Sequence, residues 1–179
     1  MRAVQHSSET VEHYSPPDYM ALVHRTMGGI DLDPASCEKA NTIVKASRYY
    51  SENGLEQPWN GRVYLNPPGG SLEVKIGNAR GKVNSQAHWW ATLVDRFTKG
   101  MLEEAIFMCF NLELLRYAQR YAVMHPLDFP HCVPKDRIPF LNSELQVQKS
   151  PGHPNMVVYL GCNVDAFVSA FVEKGRVFR

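Results

Sequence analysis

The run Glu104-Ala-Ile-Phe-Met-Cys-Phe110 constrains this chain more than any other stretch, because it offers almost no polar residue to water. A strand of that kind must be covered on both sides, as in the parallel sheets of α/β proteins. The flanking sequence alternates to match. Tyr14-Ser-Pro-Pro opens a helix in which Ser15 is the expected N-cap and a proline fills the first turn. Met20, Leu22, Val23 and Met27 give that helix its apolar side, and Gly28-Gly29 ends it. Residues 30–33 read as a short strand stopped by Pro34, followed by a helix to Ala46 with Ser36 as its cap. Asn53-Gly54 is a turn signal, and Arg62-Val-Tyr-Leu65 a strand halted by Pro67-Pro68. Residues 71–84 are polar and interrupted by glycine, and read as a mobile loop. Residues 88–97, 111–121 and 164–172 have helical period, and residues 138–140 and 156–160 read as strands. The expectation is an α/β protein with a single open, mostly parallel sheet and helices on both faces.

The chain has 179 residues, enough for one core; residues 1–13 read as a loose polar tail and 14–179 as a single domain. Nineteen Lys+Arg against 18 Asp+Glu leave a net charge of +1, which excludes attachment to nucleic acid by bulk charge but leaves room for a local basic face. Six cations (Arg62, Lys75, Arg80, Lys82, Arg96 and Lys99) against Glu73 and Asp95 lie between Gly61 and Gly100. They suit either a solvated loop or phosphate contacts. No apolar run approaches the roughly 20 residues of a membrane span, and Met1-Arg-Ala-Val-Gln-His lacks a signal-peptide core, so a soluble, cytoplasmic protein is expected. Cys37, Cys109, Cys132 and Cys162 are scattered. Beside His131-Cys132 there is no second pair at ligand spacing, so no metal site is expected.

In open α/β sheets ligands bind beyond the carboxyl ends of strands. Two strand ends here carry unusual chemistry, Asp31-Leu-Asp33-Pro34 and Asn66-Pro67-Pro68, and both are expected to open onto one crevice. Two consecutive prolines fix φ and remove two backbone donors, leaving a rigid corner rich in acceptors: the Asn66 side-chain oxygen and the Pro67 carbonyl. An exocyclic amine conjugated to a ring is a poor nucleophile. Acceptors aimed at its hydrogens favour the pyramidal form that frees the lone pair for attack on a methyl sulfonium. No strong base is needed, since the proton becomes acidic only as the methyl group arrives. The same residues, turn formers all, would also make a plain strand-terminating turn, and Asp33 would equally serve as a helix cap.

The chain resembles the S-adenosylmethionine-dependent amino-methyltransferases, and most closely the phage-encoded, Dam-like DNA N6-adenine methyltransferases. The matching segments are Tyr14-Ser-Pro-Pro, Gly28-Gly-Ile-Asp-Leu-Asp-Pro-Ala-Ser36, Ala40-Asn41, Arg48-Tyr-Tyr50, Trp59-Asn-Gly-Arg-Val-Tyr-Leu-Asn-Pro-Pro68, Ala105-Ile-Phe and Phe129-Pro-His-Cys-Val-Pro. They keep the family's order and span most of the chain. The resemblance implies a Rossmann-like methyltransferase fold, S-adenosylmethionine as cofactor, and double-stranded DNA as partner with the target adenine flipped out. It places Asn66, Pro67, Pro68 and Gly69 in the catalytic motif. Tyr14, Ser15, Pro16, Asp31, Asp33, Pro34 and Asn41 fall at its cofactor-binding positions. Lys75, Arg80, Lys82, Trp89 and Arg96 are the candidates for nucleic-acid contact. One departure stands out: the family's usual aromatic fourth residue, which stacks on the base, is Gly69 here. Stacking is worth about 1–3 kcal/mol per base. Three alternatives follow. Another ring (Trp89, Trp90 or Phe110) takes its place, the acceptor is an RNA amine or a protein glutamine, or the fold binds DNA or cofactor without turnover. Trp89 and Trp90 are neighbours on a helix and point about 100° apart, so at most one of them faces a site. Residues 71–84 and 129–151 are the expected substrate-reading segments.

Overall fold

The computed structural model describes residues 13–76, 79–109, 113–120, 124–148 and 154–179, with the side chains of 75–80 outside that description. The expected tail over 1–12, Phe110, and residues 111, 112 and 121 of the expected helix therefore lie outside the described residues.

The apolar run becomes β6 (Leu102–Cys109), in which Ala105 to Cys109 are all buried. It is the fourth of seven strands, in the order β2 (Arg48–Tyr49), β1 (Leu32–Asp33), β3 (Gly61–Leu65), β6, β8 (Met156–Leu160), β7 (His131–Pro134) and β9 (Gly175–Phe178). The first four strands are mutually parallel and the remaining pairings are antiparallel. Five of the seven strands thus point one way, in a mixed sheet rather than a purely parallel one.

Alternation along β3, β6 and β8 divides the core. Tyr64, Ile106, Met108, Val157 and Tyr159 pack on one side with α1 (Pro17–Met27), α2 (Glu38–Val44) and α5 (Val164–Phe171). Val63, Leu65, Ala105, Phe107, Val158 and Leu160 pack on the other with α3 (Ser85–Thr98) and α4 (Glu113–Arg120). Helices cover both faces, as a doubly buried central strand requires. Trp90 of α3 is fully buried between the rings of Phe107 and Phe129, which meet it edge-on at 5.2 and 5.7 Å. No described helix is long and apolar enough to cross a membrane.

Several local expectations are corrected. Ser15 does not cap α1; Pro16 stands at that position and the Ser15 hydroxyl turns inward to Tyr64. Ser36 does not cap α2 either: the Cys37 thiol accepts from the Ala40 amide, and the helix closes at Lys45 in the left-handed region. Residues 71–84 form a hairpin rather than a loop, β4 (Ser71–Ile76) against β5 (Ala79–Asn84). The alternation Leu72, Val74, Ile76 before Gly77-Asn78 is the hairpin signal that the charges between those residues obscured. Residues 138–140 are not a strand. Pro139 has no amide hydrogen to give, and the Ile138 amide donates to Asn155 Oδ1 instead of a ladder. β7 and β9, four residues each, were not anticipated.

Candidate active site

β1, β2 and β3 run side by side and end together, so the residues that follow them share one end of the sheet. A cavity of about 340 Å³ opens there, within the range of small-molecule sites. Asp33-Pro34 and Asn66-Pro67-Pro68-Gly69 both line it, as do Tyr14, Ser15 and Trp89. The shared crevice anticipated for the two strand ends is present. His13, Ser36, Cys37 and the segment Tyr50 to Gly54 also line it, beyond the site residues that the sequence suggests. Tyr50 ends the Arg48-Tyr-Tyr motif, and that was the one signal pointing to the segment.

At the Asn66-Pro67-Pro68 corner the Asn66 side chain is held from one side. Its Nδ2 donates to the His13 carbonyl at 2.7 Å and to Ser15 Oγ at 3.3 Å. Its Oδ1 is buried and accepts no hydrogen bond among the described residues. A carbonyl can only accept, so the nitrogen of the amide has to be the atom facing His13, and the oxygen is the atom left free. Pro67 is buried and Pro68 exposed, and Gly70 turns the chain with φ 78°. A Cβ at Gly70 would meet nothing within 4 Å.

Asp33 lies on the cavity floor, 3% exposed. Burial pushes its carboxyl up to about 7, opposed by the Ala35 amide, which donates to Oδ1 at 3.1 Å. Ser36 Oγ also favours the carboxylate, yet it is buried and completes no well-formed hydrogen bond. The sign of the pH dependence follows. In the unfolded chain an Asp titrates near 4. As pH rises from about 4 to 7 the unfolded state loses this proton freely while the folded state resists, so the contribution of Asp33 to stability declines, by on the order of 4 kcal/mol at most. Asp33→Asn is expected to gain stability relative to the native chain between pH 5 and pH 8, read as thermal midpoints. Parallel pH profiles for the two proteins would show that Asp33 ionises normally.

Other expected site residues are engaged elsewhere. Asp31 precedes β1 at the opposite end of the sheet. Both its oxygens accept from the Arg62 guanidinium at 2.9 Å, and this holds its carboxyl down at about 2. Asn41 spends its side-chain amide on both backbone groups of Ala46, and Pro16 is buried at the start of α1. The structure does not bring Asp31, Pro16 or Asn41 to the cavity.

The basic cluster also separates. Arg62 is bound to Asp31 and to the Met27 carbonyl, and Lys99 to Asp95. Arg96 donates to the carbonyls of Leu55 and Gln57 and lies over the Trp59 ring at 4.4 Å. Trp59 stacks on Trp89 at 5.9 Å, so Arg96 buttresses the cavity wall from behind. Lys82 is exposed on β5, while the side chains of Lys75 and Arg80 lie outside the described residues. Trp89 faces the cavity and Trp90 the core, consistent with only one of the pair reaching a site.

Among the described residues, buried Asn66 Oδ1 and Ser36 Oγ have no hydrogen-bond partner, Asp33 brings an acid to the cavity, and Ala40, Val44 and Trp89 supply apolar wall. Comparison of the chain with protein-family models, with curated proteins and with solved structures gives no match.

Proposed function

We propose that this chain transfers a methyl group from S-adenosylmethionine to the exocyclic N6 amine of adenine in DNA, on a Rossmann-like methyltransferase fold. The observation that carries the reading is the free, buried Asn66 Oδ1 at a strand end beside a cavity with an acid on its floor. When bound, the cofactor supplies an electrophilic methyl group on a sulfonium. Asn66 Oδ1 accepts one hydrogen of the target amine and the Pro67 carbonyl the other. The two prolines keep both acceptors in place, so little reorganisation is needed as charge develops on the nitrogen. The amine proton then departs to solvent without a dedicated base. Asp33 and Ser36 hold polar groups of the cofactor, and a cation beside Asp33 favours its ionised form. The base is extruded from the duplex because its amine is otherwise paired. The β4–β5 hairpin leaves the corner directly after Gly70 and bears exposed Lys82, which supports its reading as the element that meets the DNA backbone. Such a protein works in the cytoplasm, where DNA and cofactor meet.

A second reading rests on Gly69 and Gly70, which leave the corner without the stacking ring: a binding module of the same fold that holds cofactor or DNA without turnover. The test is mass spectrometry of nucleosides from DNA and RNA incubated with the protein and cofactor, with cofactor affinity from calorimetry. N6-methyladenine in DNA is the expected product. Tight cofactor binding with no methylated nucleoside would establish the second reading, and no detectable binding would sink the first.

A further inference from the structure

We propose that Ser15 and Tyr64 are positioning residues for Asn66: together with the His13 carbonyl they fix the side-chain amide so that Oδ1 is the atom left to meet the substrate amine. The inference rests on the catalytic reading of Asn66 and assigns Ser15 a role other than cofactor ligand.

The two ends of an Asn amide are nearly the same size, and only hydrogen-bond partners decide which faces where. With the amide reversed, Oδ1 would face the His13 oxygen at 2.7 Å, acceptor against acceptor. The second amide hydrogen reaches Ser15 Oγ, which is itself 2.5 Å from the Tyr64 hydroxyl. Tyr64 lies in β3 and Asn66 directly follows its last residue, and both side chains reach Ser15 Oγ. Ser15 sits between them, 4% exposed. Tyr64 is fully buried and does not line the cavity. Its hydroxyl acts on the site only through Ser15.

The segment carrying these groups is held from outside. Tyr14 pairs with Leu141 through two backbone hydrogen bonds of 2.9 and 2.8 Å, and His13 Nδ1 meets Gln148 Oε1 at 2.7 Å. The His13–Ser15 strap is therefore a strand-like clasp on the catalytic amide, seated by the segment around Leu141.

The test uses Tyr64→Phe and Ser15→Ala, with Ser15→Thr as the variant that keeps a hydroxyl. In both deletions kcat on DNA is expected to fall about ten- to a hundred-fold, with KM and the cofactor Kd within about two-fold of native, and Ser15→Thr to recover most of the loss. A readout independent of turnover is nitrogen-15 NMR of the Asn66 side chain, assigned by its disappearance in Asn66→Ala. Its amide protons are expected to exchange at least about ten-fold faster in both deletions. Ser15→Ala with weakened cofactor binding and native kcat would make Ser15 a cofactor ligand and overturn the proposal. Native exchange in both deletions would overturn it too. If the native protein methylates nothing, the catalytic reading falls, and amide exchange alone decides whether the clasp exists.

Discussion

Asn66→Ala is expected to keep the fold and the cofactor affinity and to lower methyl transfer by about two to three orders of magnitude. The structural cost is small because Asn66 is a strand-end residue whose partners survive its removal. The His13 carbonyl belongs to an exposed residue and turns to water, and Ser15 Oγ retains Tyr64. Loss of such bonds costs about 1 kcal/mol, a drop of about 2–4 °C in Tm for a chain of this size. On the proposed reading, the chemical cost is large because Oδ1 is the group that changes its interaction as the amine goes from planar to pyramidal. On the same reading, binding of the ground state draws on the cavity walls and on Asp33 and Ser36, which the substitution leaves in place, so KM for cofactor is expected to stay near native. Single-turnover methylation with excess protein, beside calorimetric cofactor binding, separates the two effects. A variant with native kcat would remove Asn66 from the chemistry and reduce the corner to a turn.

The parts of this structure legible in the sequence are those where one residue type has one use. The run through Ala105 to Cys109 admits no exposed face, and it is the central strand. Pro34 and Pro67-Pro68 cannot continue a ladder, so the strand ends they mark were read correctly and met at one cavity. Residues with several uses were read less well. Ser15 and Ser36 both look like helix caps, but the Ser15 hydroxyl is turned to buried Tyr64, which is far away along the chain, and Ser36 Oγ faces the buried Asp33 rather than the helix end. Asp31 and Asp33 differ by two residues and share a motif, yet one belongs to an ion pair at the amino end of the strands and the other to the cavity floor. The strand between them is only Leu32–Asp33, and which end of it each acid occupies depends on Arg62 from the neighbouring strand. The cations of residues 62–99 looked like one patch because they are close along the chain. Arg62 and Arg96 find partners that only the folded chain supplies, and Lys99 is engaged by Asp95 one helical turn earlier. The hairpin at 71–84 was missed because its polar alternation matches that of a solvated loop until the register Ser71 to Asn84 pairs it.

Gly54→Ala is expected to be the most disruptive single-atom addition at the site. A Cβ there would lie 1.8 Å from the Pro34 carbonyl oxygen and 3.2 Å from the Trp89 ring. The first of these is backbone, with no rotamer to relieve it, so one of two chain segments has to move. If the segment Tyr50 to Gly54 moves, the Gly54 carbonyl leaves the Trp59 indole, which donates to it at 2.7 Å, and the Trp59–Trp89 stack behind the cavity loosens. If Pro34 moves, it takes the buried Asp33 with it and disturbs the carboxylate on the cavity floor. Either route opens the join between the ends of β1 and β2. A loss of about 3 kcal/mol is expected, with Tm lower by about 6–12 °C. Cofactor Kd is expected to rise by at least about ten-fold, since both displaced segments line the cavity. Gly70→Ala is the matched control. Gly70 has φ 78° and open space around its Cβ position, so the added methyl group costs only left-handed backbone strain, about 1–2 kcal/mol, and leaves the cavity walls where they are. Native Tm and cofactor affinity in Gly54→Ala would mean that the contact between the two strand ends is looser than 1.8 Å implies, and that the cavity is not walled by their close approach.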